Sequence, residues 1–180
     1  MKTQVSIGLI NPKDAQNVGS VLRAIGCYQA NDVYYTGNRY AYALKHNTDT
    51  HNIQSQTDIK KVDDLLSVPA EHMSADTKIV CIELVEGATP LPEFEHPDSA
   101  LYILGPEDGN ISQKIIDQAD EVVYIPTIGC MNLAATANVV LYDRLAKSHR
   151  GNELIAQGND LIRASRDGNN HLKVKQTPSN

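Results

Sequence analysis

Residues 100–112 read ALYILGPEDGNIS, and the pattern in this stretch decides the fold class. Ala100 to Leu104 form a short apolar run of the kind that buried parallel strands show. Gly105 ends that run, and Ser112 is a residue type that favours the position before a helix. A strand, a glycine turn and a helix in this order predict one unit of an α/β fold, with the turn at the carboxyl end of the strand.

The same order recurs on both sides of this stretch. Apolar runs and helical spacing predict further strands at residues 5–10, 32–37, 78–85 and 122–125, and helices at 18–28, near 65–66, at 112–119 and at about 132–147. This alternation predicts a mostly parallel α/β sheet with helices on both faces. Because ligands bind beyond the carboxyl ends of such strands, the loops after residues 10, 104 and 125 are expected to share one rim.

Two segments of the chain show no such order. Residues 38–57 are polar and predict a loop, and a loop of that length is often functional. Beyond Ser165 the chain is polar and without periodicity, so we expect a loose tail there unless a partner orders it.

The composition is that of a globular protein. The chain has 180 residues, of which 41% are hydrophobic and 21% charged, and this length suits one domain with a real core. With no tryptophan and a single phenylalanine, core packing must rely on aliphatic residues, alanine and tyrosine. The first residues predict a strand rather than a signal peptide, which indicates a cytoplasmic protein with no membrane segment.

Several classes of chemistry lack support in the sequence. Cys27, Cys81 and Cys130 are odd in number and have no CxxC spacing, so neither disulfides nor a zinc site is indicated, and the six histidines show no metal-ligand spacing. A cysteine nucleophile at Cys81 or Cys130 is possible in principle, but no histidine stands at a recognisable spacing. Walker A and GxGxxG motifs, which mark mononucleotide and nicotinamide sites, do not occur.

The net charge of −6 counts against broad nucleic-acid binding, which usually needs a basic surface. Binding to RNA would require a local basic patch. The candidates are Arg39, Lys45 and His46 after the second strand, and Lys147, His149 and Arg150 near the end of the last long helix. Scattered solvated charge is an equally good interpretation of each residue taken singly.

A first motif follows the first strand, where Asn11-Pro12 leads to Asn17, Gly19 and Arg23. A glycine lets the backbone approach a ligand closely, and Arg23 lies one turn beyond Gly19 on the same face of the predicted helix. The structural alternatives are that Asn17 is an N-cap, worth about 1 kcal/mol, and that Arg23 is a surface or carboxylate-paired side chain.

Two further motifs follow later strands. In Gly105-Pro106-Glu107 a glycine turn with exposed amides is expected, and it places Glu107 at the rim, unless Glu107 is an ordinary exposed carboxylate. Ile125-Pro126 leads to Cys130-Met131-Asn132 at the start of the last helix. Here the structural alternatives are that Asn132 caps that helix and that Tyr142 belongs to the core.

Together and in this order, the three motifs resemble the SpoU/TrmH-type branch of the SPOUT RNA methyltransferases. That branch shows Asn-x-Gly-x-x-x-Arg, then Gly-x-Glu-x-x-Gly, then Ile-Pro leading to Ser-Leu-Asn. Two residues depart from its pattern: Asn110 stands at the second glycine and Cys130 at the serine, and the loop before Cys130 is shorter than in several relatives. Asparagine tolerates a left-handed backbone, so the turn is expected to persist, whereas a thiol is a weaker hydrogen-bond donor than a hydroxyl.

The resemblance covers about residues 4–148 and implies a fold, a cofactor and a reaction. The fold is an α/β sheet whose C-terminal third forms a trefoil knot, in a domain of residues 1–150 followed by a partly flexible extension, 151–180. The cofactor is S-adenosylmethionine, and its methyl group is transferred to a ribose 2′-hydroxyl of RNA, with tRNA favoured over rRNA. The alternative is a catalytically silent SPOUT module that binds the cofactor or RNA.

The resemblance also assigns residues. It implies catalytic roles for Arg23, Asn17, Glu107 and Asn132, and cofactor contacts for Leu84, Gly105, Ile125, Cys130 and Met131. It implies no metal. The family is dimeric, so we expect a homodimer to which the last helix contributes its small apolar residues Ala134, Ala135, Ala137, Val139 and Val140.

Overall fold

The computed structural model describes residues 4–46 and 59–175, without the side chains of residues 44–46. A first compact unit ends at Arg144 and a second begins at Leu145. The first unit contains a seven-stranded sheet in the order β3-β2-β1-β6-β4-β7-β5, with parallel pairing throughout. Its strands are β1 Val5–Leu9, β2 Val33–Tyr35, β3 Ile59–Lys61, β4 Lys78–Ile82, β5 Thr89–Pro90, β6 Ala100–Leu104 and β7 Glu121–Tyr124. The predicted parallel α/β sheet is confirmed.

The helices connect these strands. They are α1 Ala15–Tyr28, α2 Arg39–His46, α3 Val68–His72, α4 Gln113–Ile116 and α5 Leu133–Lys147, with 3-10 turns at Leu65–Ser67 and Leu91–Glu93. The second unit contains the end of α5, then α6 His149–Gln157 and α7 Asn159–Ser165. None of the described helices has the length and apolar character needed to cross a membrane.

Alternation of side chains along the strands gives the sheet two buried faces. Tyr102 and Leu104 of β6 point to one face, where α1 and α5 pack. Leu101 and Ile103 point to the other, where the segment around Leu65 and α4 pack. Helices therefore cover both faces, as the apolar runs predict, because a strand buried on both sides has no polar face.

The β4–β5 connection has an unusual path. β4 ends at Ile82 and β5 begins at Thr89, yet β7 lies between them in the sheet. The connecting residues must therefore pass the end of β7, where the Glu83 N–H donates to the Val123 carbonyl over 3.0 Å. This crossing brings the loop after β4 to the loop after β7. The trefoil knot itself stays a prediction.

The cap of α1 differs from the expectation. Asp14 is the N-cap, and its Oδ1 accepts from the amides of Gln16 at 2.7 Å and Asn17 at 3.1 Å. The suggested capping role of Asn17 is therefore wrong, because the Asp14 carboxylate already satisfies the first amides and the helix begins three residues earlier than expected. Gly19 consequently lies in the second turn of α1 and not at the helix start.

Other boundaries also differ. Residues 39–46 form α2 where a loop was expected, and residues 47–57 of that expected loop lie outside the described part of the chain. α4 is shorter than expected, and Ser112 occupies its N-cap position without a side-chain capping bond. Asn110 does not adopt the expected left-handed backbone, since Asn11 and Gln29 are the non-glycine residues of the described chain with positive φ.

Three of the five small apolar residues of the last helix that were expected at a dimer face are buried in their own chain. Ala134, Ala137 and Val140 are buried in the core of their own chain, and Val139 packs against that core. These three buried residues therefore cannot contribute to a dimer face as expected, whereas Ala135 and Val139 are only partly buried, and the dimer itself stays a prediction. Tyr142 is 62% exposed, which also excludes its suggested place in the core.

Candidate active site

A cavity of about 270 Å3 opens at the carboxyl ends of β4, β6 and β7. The three motif loops meet there, as the strand ends predict. All the predicted site residues except Arg23 line it: Asn17, Leu84, Gly105, Glu107, Ile125, Cys130, Met131 and Asn132. The remaining lining residues are Ile82, Glu83, Leu104, Pro106, Gly109, Asn110, Thr127, Leu133 and Thr136.

Glu107 ties the loop after β6 to the start of α1. Its Oε2 accepts from the Lys13 amide at 3.1 Å and its Oε1 from the Asp14 amide at 3.2 Å. A carboxylate is well placed beside these amides because the N-terminal end of a helix carries partial positive charge. Glu107 is half-buried and is not the ordinary exposed carboxylate of the alternative interpretation.

The neighbouring Asp108 collects two cations at the mouth of the site. Nη1 of Arg39 lies 2.9 Å from both carboxylate oxygens, and Nζ of Lys13 lies 3.2 Å from Oδ2. The hydrogen bonds from Arg39 and then Lys13 lower the pKa of Asp108. Arg39 also donates through Nε to the Asn11 carbonyl at 2.9 Å, so this candidate for an RNA-binding patch is already engaged within the protein.

The other patch candidates are only partly described. The side chains of Lys45 and His46 lie outside the described residues. Lys147, His149 and Arg150 are exposed in the second unit, where His149 Nδ1 lies 3.3 Å from Oε1 of Glu153. The patch itself stays a prediction.

Sequence reasoning missed Glu83, which follows β4. Its Oε1 accepts from the Leu84 amide at 3.0 Å, and its Oε2 accepts from the Ile111 amide at 2.9 Å. One carboxylate thus holds both the loop after β4 and the loop after β6. The available signal was its position directly after a buried strand of a parallel sheet, the same signal that identified the other rim loops.

Gly105 lies where there is little space for a side chain. A Cβ atom there would lie 3.2 Å from Oε2 of Glu83 and 3.3 Å from Cγ1 of Ile111. Both distances are tighter than ordinary van der Waals contact, so a larger residue would displace one wall of the cavity. The glycine therefore lets the backbone itself form the surface that faces a ligand.

The third motif forms the wall opposite the loop after β6. Asn132 Oδ1 accepts from the Ala135 amide at 2.7 Å, and therefore caps α5 while lining the cavity. Thr127 donates through Oγ1 to the Gly129 carbonyl at 2.8 Å, and Gly129 has φ of 98°. Cys130 is exposed, so its thiol faces solvent at the edge of the cavity.

Arg23 lies outside this arrangement. Its side chain is exposed on α1, and it is not among the described residues that line the cavity.

The cysteines are free thiols. Burial and then the charge of Glu83 raise the pKa of the Cys81 thiol to about 12. A nucleophilic thiolate at Cys81 is therefore disfavoured near neutral pH. Cys27 and Cys130 are exposed and unpaired in disulfides.

Comparisons with known proteins agree with this geometry. The profile of the SpoU rRNA Methylase family matches residues 4–142, whereas a comparison with curated proteins gave no match. A TrmH/SpoU tRNA modifying enzyme of A. aeolicus superposes with a TM-score of 0.61 at 18% identity, over 79% of this chain and 74% of that one. An AdoMet-bound rRNA methyltransferase of Sinorhizobium meliloti superposes with a TM-score of 0.65 at 15% identity, over 80% and 56% of the two chains.

A third structure, of a protein described in connection with the 2-OH methylation of C/U34 on tRNA, superposes with a TM-score of 0.63 at 16% identity. The superposed region covers 82% of this chain and 97% of that one. The chain spans less than two thirds of the Sinorhizobium enzyme, but almost the whole of this third protein. At these identities the superpositions show the fold, and the family rests on the profile match. The chain belongs to the SpoU rRNA methylase family, the S-adenosylmethionine-dependent RNA methyltransferases that its motifs resemble.

Proposed function

We propose that this protein transfers a methyl group from S-adenosylmethionine to a ribose 2′-hydroxyl of RNA. The observation that supports this most is the cavity at the carboxyl ends of β4, β6 and β7, where three separate motifs of the family meet. Asn17, Glu107 and Asn132 are far apart in the sequence and lie on different elements. Their position around one cavity therefore supports a shared role in binding or catalysis.

The residues of the cavity suit this cofactor. Leu84, Ile125 and Leu133 offer apolar surface on which an adenine can pack, and the backbone of Gly105 can approach the ligand closely. We therefore assign cofactor contacts to Leu84, Gly105 and Ile125, together with Cys130 and Met131 on the third loop.

When bound, the sulfonium cofactor supplies an activated methyl carbon, whose bond to sulfur breaks as the bond to the 2′-oxygen forms. The protein has to align that oxygen, and alignment is the larger demand. An arginine keeps its proton in proteins, so we assign Arg23 to clamping the ribose-phosphate and stabilising negative charge on the 2′-oxygen. The proton of the hydroxyl then passes to a neighbouring phosphate or to water.

Glu107 and Asn132 act as positioning residues in this proposal. Glu107 holds the start of α1, the helix that carries Arg23, through two backbone amides. Asn132 holds the third loop through the cap of α5. Asn17 lines the cavity from the first turn of α1 and is the nearest assigned polar group to Arg23 along the chain.

We further propose a homodimer, in which a second copy completes the site. Arg23 is exposed and outside the cavity of its own chain, so an interface next to the cavity would supply what a single chain lacks. The exposed Tyr142, with Tyr28 edge-on at a centroid distance of 6.5 Å, is an aromatic surface suited to that interface.

For the substrate we favour tRNA over rRNA. The supporting comparison is the tRNA 2-OH methylation structure, since this chain matches 97% of its length. A domain of residues 1–150 with a C-terminal extension, a trefoil knot and a cytoplasmic location complete the proposal.

The test is methyl transfer from labelled S-adenosylmethionine to bulk tRNA and rRNA, followed by digestion to nucleosides. We expect label in 2′-O-methylnucleosides of tRNA, and the loss of the same modification in a deletion strain. Cofactor binding without transfer to any RNA would support the silent module instead. Label in a methylated base would refute the ribose assignment.

Quaternary structure is tested separately. Light scattering at micromolar concentration should give about twice the chain mass of 19.7 kDa. If a second copy completes the site, mixing Arg23→Ala protein with a cofactor-binding variant at Gly105 should restore part of the activity that each lacks alone. A monomer that methylates RNA would contradict the dimer.

A further inference from the structure

The charged side chains that line the cavity all carry negative charge. Among the described residues that line it are two carboxylates, Glu83 and Glu107, and no lysine, arginine or histidine. RNA is a polyanion, so these carboxylates do not serve to attract it. A one-sided negative lining favours a ligand that carries positive charge.

Glu83 is a lining carboxylate that is fixed next to Gly105, another residue of the cavity wall. Both of its oxygens accept backbone amides, from Leu84 at 3.0 Å and Ile111 at 2.9 Å, so its position is set by two loops. Oε2 lies 3.2 Å from the point where a Cβ of Gly105 would stand. Because Gly105 has no side chain, nothing at that position separates the Glu83 carboxylate from a ligand that lies against the Gly105 backbone. Both oxygens of Glu107 likewise accept backbone amides, those of Lys13 and Asp14 at the start of α1.

Glu83 is half-buried and lies next to the buried core of the sheet. Ile82 and Leu104 beside it are buried, and its field is one of the two causes, after burial, that raise the pKa of the adjacent Cys81. Charges act more strongly on one another where water is partly excluded.

We propose that Glu83 is a specificity-determining residue that makes the cavity prefer the positively charged sulfonium donor over the neutral thioether that remains after transfer. This inference rests on the proposed function, since it takes the cavity as the cofactor site. The attraction disappears when the methyl group leaves, so the same carboxylate favours binding of the donor and release of the product.

Calorimetry on the full chain tests this with three probes: S-adenosylmethionine, S-adenosylhomocysteine, and sinefungin, an analogue with an ammonium group near the sulfur position. In the wild type we expect both cationic probes to bind more tightly than the neutral one. Glu83→Gln retains the shape and one carbonyl acceptor, and should weaken the two cationic probes by about tenfold while changing the neutral probe by less than about threefold. Glu86→Gln, three residues along the same connection and outside the cavity lining, is the charge-matched control.

Each result is decisive. If Glu83→Gln weakens all three probes equally, the carboxylate is only a brace for the loops and the proposal is wrong, although the cofactor site stands. If the variant does not fold, the wild type decides, because a neutral probe that binds as tightly as the two cationic ones overturns the proposal. Failure of all three probes to bind the wild type would refute the proposed function itself.

Discussion

Two polar networks of the first unit use similar groups for different ends. The rim network consists of Glu83, Glu107, Asp108, Arg39 and Asn132 around the cavity. The buried cluster consists of His96, Tyr102, Asp143 and Arg144. In the rim network carboxylates and an amide mostly accept backbone amides of loops, and several of the side chains stay partly exposed. In the buried cluster the side chains mostly bond to one another.

Within the first unit, the buried cluster joins Asp143 and Arg144 of α5 to β6 and to the segment before β6. His96 Nδ1 lies 2.7 Å from the Tyr102 hydroxyl, and His96 Nε2 lies 2.9 Å from Oδ2 of Asp143. Arg144 donates to the same hydroxyl at 3.0 Å and to the Pro97 carbonyl at 2.6 Å. Tyr102 has no exposed surface, and burial raises the pKa of its hydroxyl.

The difference lies in what remains available to a ligand. A carboxylate that accepts two amides at the rim still has lone pairs and a charge directed at the cavity. The groups of the buried cluster meet other groups of the protein, and water or a ligand does not reach the Tyr102 hydroxyl. We therefore expect substitutions at the rim to alter binding and transfer, and substitutions in the buried cluster to alter stability.

The largest expected effect belongs to Arg23, which neither network holds. Arg23→Ala should lower methyl transfer by about 10²-fold or more, the scale of a lost oxyanion stabiliser, while cofactor affinity and melting temperature stay near those of the wild type. Arg23→Lys should not rescue transfer, because a flexible point charge does not reproduce a planar bidentate clamp. Rates of methyl incorporation measure this. Near-normal transfer by the alanine variant would remove Arg23 from the mechanism, and near-normal transfer by the lysine variant would show that charge alone suffices.

The second-largest effect is expected for Tyr102, at the centre of the buried cluster. Tyr102→Phe leaves His96 and Arg144 without their shared partner, and a buried group left unsatisfied costs about 1–3 kcal/mol. Urea unfolding should show this loss in the free energy of unfolding, with transfer per folded molecule unchanged. Tyr142→Phe removes an exposed hydroxyl and serves as the control. A folded Tyr102→Phe protein of wild-type stability but low activity would break the division between the two networks.

A substitution at Gly105 tests whether a change at the rim alters ligand binding. Gly105→Ala places a methyl group 3.2 Å from Oε2 of Glu83, and we expect cofactor affinity to fall about tenfold, or 1.4 kcal/mol, as the wall of the cavity moves. Calorimetry provides the affinity. Gly26→Ala is the control, because a Cβ at Gly26 on α1 meets nothing within 4 Å. Equal affinity of the wild type and the Gly105→Ala protein would remove Gly105 from the site.

The smallest effect is expected at Asp108. Its pKa is lowered by Arg39 and Lys13, so its contribution to stability is present above the ordinary aspartate value and is lost as the pH falls through the lowered one. Asp108→Asn should therefore flatten the fall of stability with acid below about pH 4, and change stability near neutral pH only slightly because the group is solvated. Denaturant unfolding at several pH values, with Asp63→Asn as the control, measures the difference. A steeper acid dependence in the Asp108→Asn protein would contradict the assigned sign.

The local elements, and the edge of the sheet at which their loops meet, follow from the pattern of residue types alone. Ala100 to Leu104 form β6 with the predicted bounds, because a short apolar run between a polar segment and a glycine has few other stable conformations. The common rim follows from parallel strands, so the meeting of Asn17, Glu107 and Asn132 was predictable in outline.

The pairing of distant groups, in contrast, became apparent only from the folded chain. Three features join residues that are far apart in the chain. They are the position of β7 between β4 and β5, the hydrogen bonds by which Glu83 holds two loops, and the contact of His96 with Asp143. Such pairings depend on how whole elements pack, and a local pattern of residue types carries no information about a partner 28 or 47 positions away. The exposure of Arg23 could not be predicted for the same reason. Helical spacing shows that Arg23 lies on the same face of α1 as Gly19, but it does not show whether another element covers that face.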